Sequence, residues 1–120
     1  MFGQDIARLG AVVDVFEVMA YHQIMRQDAT WAAAVATDIH HRGRRRTLCT
    51  IQARPLYLDG MHAGRGRSPT LGADEFARCG DAVEASPVDG LCLFTFADFL
   101  ALRESADGRR MIDRIRRFRA

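Results

Sequence analysis

Three runs of apolar residues punctuate the chain, Val12–Ala20, Leu48–Ala53 and Gly90–Phe96, each too short for a helix of ordinary length and rich in Val, Ile, Leu and Phe. Each leads into a polar or aromatic cluster and then into a stretch with helical spacing. Asp28 is placed to cap a helix from Ala29 to about Arg42, in which Trp31, Val35 and Ile39 recur on one stripe and Gly43 supplies a terminator. A second helix starts near Asp74 and aligns Phe76, Cys79 or Gly80, and Val83. A third, capped by Ser105, aligns Met111, Ile112, Ile115 and Phe118. Gln4 to Gly10 reads as the end of a further helix. The alternation of strand and helix predicts a parallel sheet, whose functional groups gather beyond the carboxyl ends of the strands.

Pro55 closes the second run by removing a backbone donor, and the stretch Leu56–Thr70, with Gly60, Gly64, Gly66 and Pro69, reads as a long βα loop. The second run also has the sharpest alternation: Thr50, Gln52 and Arg54 share one face, Cys49, Ile51 and Ala53 the other. In a barrel this sends a polar ladder inward; a solvated edge strand would show the same pattern. In the first run Glu17, Met19 and Tyr21 share one face and Phe16, Val18 and Ala20 the other.

With 120 residues, the chain is a single domain at most, about half of the roughly 250 residues of a closed (β/α)8 barrel. A hydrophobic content of 48% and a charged content of 27% fit an ordinary globular protein. No run approaches a membrane span and the N-terminus lacks a secretory layout, so the expectation is a cytoplasmic protein without a membrane partner. Cys49, Cys79 and Cys92 fall inside predicted elements without metal-ligand spacing and read as small buried side chains. All 17 basic residues are Arg, yet the net charge of +2 does not by itself argue for nucleic acid.

The segment Val15–His22, a hydrophobic strand ending in Met19, Ala20, Tyr21 and His22, resembles the sixth strand of chitinase-like glycoside hydrolase barrels. Gln52–Tyr57 is similar to the seventh strand and its loop, and Gly90–Asp98 to the eighth, with Phe94 standing where the family commonly carries a tryptophan under the sugar. The resemblance implies an α/β fold, a partial (β/α)8 barrel with about three parallel strands and flanking helices, spanning residues 1–120 as one domain. It also implies carbohydrate as ligand, with Met19, Tyr21, Gln52, Arg54, Tyr57, Asp59, Phe94 and Asp98 as substrate-binding candidates. The family's DxDxE signature is absent, so the general acid is missing and the chain is not expected to act alone.

Glu17 and His22 are the catalytic candidates: a carboxylate within a barrel can be tuned for acid–base work, and an imidazole can shuttle a proton near neutral pH. Their alternative readings are a structural ion pair for Glu17 and a backbone-bonded loop histidine for His22. Hydrolysis ordinarily takes two carboxylates, or one with a substrate amide. Asp98 can equally cap the turn that follows it. No metal or cofactor is expected, His40 and His41 being placed to complement a helix end. Open strand edges predict a homo-oligomer or pairing with a missing N-terminal half-barrel. The alternative is a small stand-alone α/β protein whose C-terminal helix, with Arg109, Arg110, Arg114, Arg116, Arg117 and Arg119 against Asp113, engages an acidic partner or nucleic acid. A solvated outer helix explains that helix more simply, and nucleic acid is not the expected partner.

Overall fold

The computed structural model describes residues 4–55 and 70–117. In chain order these form helix α1 (Ile6–Leu9), strand β1 (Val15–Met19), helix α2 (Trp31–Gly43), strand β2 (Arg46–Gln52), helix α3 (Ala73–Glu84), strand β3 (Gly90–Phe94), helix α4 (Phe96–Ala101), a 3-10 turn (Leu102–Glu104) and helix α5 (Ala106–Arg116). Tyr57 and Asp59, the loop candidates, lie outside the described residues, as does Phe118.

The three strands form one parallel sheet in the order β1-β2-β3. Val15 pairs with Arg46, Met19 with Thr50, and Thr50 in turn with Cys92, so equivalent strand positions sit in rows across the sheet. β2 is the central strand, and the reading of its alternation as a solvated edge does not apply.

Both crossover helices, α2 and α3, pack on the same face of the sheet and against each other. Phe16, Val18 and Ala20, Cys49 and Ile51, and Leu91 and Leu93 point to that side and join the core with Ala32, Ala33 and Ala36 of α2, Phe76, Cys79 and Val83 of α3, and Met111 of α5. The stripe expected on α3 is buried as anticipated. Phe76, 2% exposed, contributes about 1.5–3 kcal/mol of burial by itself. The alanine face of α2 lets the helix lie close to the sheet, close enough for the Cys49 thiol to reach the Ala32 carbonyl at 3.7 Å.

Two local expectations are corrected. The strand expected from Val12 begins at Val15, because Val12 and Val13 both donate to the Leu9 carbonyl and prolong the turn after α1. Gly43 is the last residue of α2 rather than the residue beyond its end; Arg44 takes the left-handed conformation there, with φ 51°. Glycine is needed at 43 for another reason: a Cβ would overlap the Phe16 ring. Ser105 caps α5 as expected, accepting from the Gly108 N–H at 2.9 Å.

The opposite face of the sheet carries no helix among the described residues. Val15, Glu17, Met19 and Tyr21, then Leu48, Thr50 and Gln52, then Gly90, Cys92 and Phe94 occupy it by strand alternation. Met19 is 67% exposed there and Phe94 39%.

Candidate functional site

Parallel strands deliver their carboxyl ends to one edge, and most of the candidates from the sequence meet on it. The Tyr21 and Phe94 rings lie 5.1 Å apart, tilted by 35°, on the uncovered face. Burial, and secondarily the Glu17 charge, pushes the Tyr21 phenol above its ordinary value. Its hydroxyl is sealed from solvent and makes no hydrogen bond among the described residues.

Arg54 and Asp98 form an ion pair, Nε to Oδ2 at 3.1 Å, joining the segment after β2 to the first turn of α4. Asp98 is also half of a capping box: its Oδ2 accepts from the Thr95 N–H at 3.2 Å and the Thr95 hydroxyl at 2.8 Å. The capping alternative for Asp98 is therefore realised, with an ion pair added. A cleft of about 360 Å³ opens beside the pair, lined among others by Ala53, Leu71, Leu102 and Met111.

Gln52 does not stand ready for a ligand. It is 1% exposed, and its Nε2 donates to Gln23 Oε1 at 2.5 Å and to the Arg54 carbonyl at 3.1 Å. Gln23, which the sequence reading passed over, donates onward to the Thr70 carbonyl at 2.9 Å and to Glu75 at 3.2 Å. Glu75 is the second residue that went unnoticed. Its Oε1 lies 2.8 Å from His22 Nε2, so the imidazole carries its hydrogen on that nitrogen, facing an acceptor-only carboxylate.

The structure separates the two catalytic candidates. Glu17 is exposed on the uncovered face and accepts from the Thr50 hydroxyl at 2.7 Å, whereas His22 is 1% exposed and turned toward α3. Strand parity explains it: His22 has the parity of Val18 and Ala20, Glu17 that of Met19 and Tyr21. The expectation of a desolvated carboxylate at 17 is corrected accordingly. His22 Nδ1, buried and without a hydrogen-bond partner among the described residues, cannot reach a ligand from where it sits. The His22–Glu75–Gln23–Gln52 chain thus ties β1, β2 and α3 together at the carboxyl edge of the sheet, a signal available in the sequence only as His22's parity and a carboxylate in the first turn of the next helix but one.

The arginines of α5 are largely paired within the chain. Arg114 reaches both Asp81 and Glu84, Arg110 reaches Asp74 and Asp107, and Arg116 reaches Asp113. The carboxylates of α3 hold the Arg114 guanidinium above its already high ordinary value, chiefly through the Glu84 hydrogen bond. Among the described residues no group of His, Cys, Asp and Glu side chains is arranged to hold a metal, and no helix is long and apolar enough to cross a membrane.

No family model, curated protein or solved structure matches this chain.

Proposed function

We propose that the chain supplies three consecutive βα units of a glycoside hydrolase-like barrel, and that the carboxyl edge of its sheet contacts carbohydrate without forming a complete catalytic centre. The observation that carries the reading is the Tyr21–Phe94 ring pair on the uncovered face, at the ends of two parallel strands. Aromatic rings offer an apolar surface to the C–H faces of a sugar, and the neighbouring Arg54–Asp98 pair offers donors and acceptors for hydroxyls. Among the described residues helices lie on one face only, and with strands in sequential order this favours a barrel segment over a doubly wound sheet, which would carry helices on both.

Catalysis by this chain alone is disfavoured by its carboxylates. Among the described residues Glu17 is the one strand carboxylate on the uncovered face, Asp98 is held by a cap and an arginine, and hydrolysis ordinarily takes two carboxyl groups flanking the bond. Parallel sheets are almost always covered on both faces, so a face without a helix and two edges without a further strand among the described residues call for further strands or a second copy.

Titration with gluco- and chito-oligosaccharides, followed by amide chemical shifts, tests the ligand. Shifts at Tyr21, Arg54 and Phe94 that disappear in Tyr21→Ala and Phe94→Ala are expected, with no release from chromogenic glycosides. Shifts that survive both substitutions, or none at millimolar sugar, refute it. Sedimentation tests the open sheet: self-association is expected, and a compact monomer with a cooperative melt counts against this architecture.

A further inference from the structure

We propose that the amino-terminal edge of the sheet, opposite the carbohydrate edge and independent of it, holds a binding site for phosphate groups built from Arg44, Arg45 and Arg46. An open cleft of about 650 Å³ lies there, lined by Asp14, His40, Arg44, Arg45, Arg46 and Asp89. Three arginines and a histidine share its lining with two aspartates.

Among the described residues Arg44, Arg45 and Arg46 make no ion pair with either carboxylate. Asp89 Oδ2 accepts from the Thr47 N–H at 2.7 Å and stands 3.9 Å from His40 Nδ1. Asp14 makes no ion pair among the described residues. Arg45 donates from Nε to the Gly10 carbonyl at 2.7 Å, which fixes its stem and leaves its terminal nitrogens for another acceptor. Arg44 and Arg46 make no hydrogen bond or ion pair among the described residues. Elsewhere Arg42, Arg54, Arg110, Arg114 and Arg116 each meet a carboxylate, whereas Arg8, Arg26, Arg78, Arg103, Arg109 and Arg117 make no ion pair among the described residues. What sets Arg44, Arg45 and Arg46 apart is that three consecutive arginines, without a carboxylate partner among the described residues, line one cleft.

The backbone sets them there. The left-handed turn at Arg44 ends α2 and redirects the chain, and Arg46 opens β2 opposite Val15. Guanidinium is charged at every working pH and its planar fork matches phosphate oxygens in pairs. A phosphate dianion offers enough acceptor oxygens for several forks and relieves the repulsion among them. The cleft has no aromatic lining besides His40, so a base-stacking platform for nucleic acid is not part of it.

The test is thermal melting and calorimetric titration of the whole chain in inorganic phosphate against sodium chloride at matched ionic strength. Saturable stabilisation by phosphate is expected. An Arg44→Ser/Arg46→Ser variant should melt no lower than the parent without phosphate, since it loses repulsion rather than contacts, and should bind phosphate at least about tenfold more weakly. Arg116→Ser/Arg117→Ser should bind as the parent does. No saturable shift up to about 10 mM phosphate, or an undiminished shift in the Arg44/Arg46 variant, overturns the assignment. So does an Arg44/Arg46 variant that melts lower without phosphate, which would make these arginines part of the fold.

Discussion

Replacing Gln52 by leucine should destabilise the protein through its partner Gln23, and the amount follows from three hydrogen bonds. Gln52 gives two, to Gln23 Oε1 at 2.5 Å and to the Arg54 carbonyl at 3.1 Å, and accepts a long one from the Gln23 N–H at 3.4 Å. Leucine is close in volume, so the cavity contribution is small. Arg54 is exposed, and water can take over its carbonyl. The part-buried Gln23 Oε1 and main-chain N–H lose the bonds that Gln52 made to them, while the Gln23 amide nitrogen keeps Thr70 and Glu75, so the net cost is about 1–3 kcal/mol, the range for removing one partner of a buried hydrogen bond. At about 4 °C per kcal/mol for a domain of this size, the melting temperature falls by about 4–12 °C. Gln23→Leu and the double variant complete a cycle in urea denaturation. Removing both partners should cost less than the two single changes together, with a coupling of about 0.5–1.5 kcal/mol. Additivity within about 0.3 kcal/mol would show that the two side chains do not depend on each other, and the network account of the site would fail.

Burial pushes the Cys49 and Cys79 thiols up to about 12, so native protein at pH 8 should give Ellman's reagent no more than Cys92, and all three cysteines only after denaturation; rapid native reaction of two would contradict the packing. Arg114→Met cuts the tie from α5 to Asp81 and Glu84 and should cost about 1–2 kcal/mol in denaturant titration, an effect that shrinks in high salt. Gly108→Ala should cost about 1–3 kcal/mol, because its Cβ would run into the Leu102 backbone, which cannot swing aside as a side chain can; an unchanged melting temperature would place α5 elsewhere.

The sequence made parts of this fold legible because they are local. The Phe76, Cys79, Gly80 and Val83 stripe follows from helical period, the Ser105 cap from one hydroxyl before a helix, and the Cys49, Ile51 and Ala53 face from strand period. The site was only partly legible. Tyr21, Phe94, Arg54 and Asp98 were named and do meet, but Glu75 was missed because its contact with His22 spans 53 residues and leaves no periodic trace. Gln52 was named for its chemistry, and the chemistry proved to be satisfied within the protein.

What the chain's own order of residues determined was which segments become strands and helices and which side chains share a face, since periods of two and 3.6 are properties of the backbone alone. Only the tertiary structure decided that His22 meets Glu75 while Glu17 meets Thr50, that Arg110, Arg114 and Arg116 of α5 find carboxylates while Arg44 and Arg46 do not, and that one sheet face carries no helix among the described residues. Those outcomes depend on which distant carboxylate or helix arrives beside a given residue, and distance along the chain does not encode proximity in space.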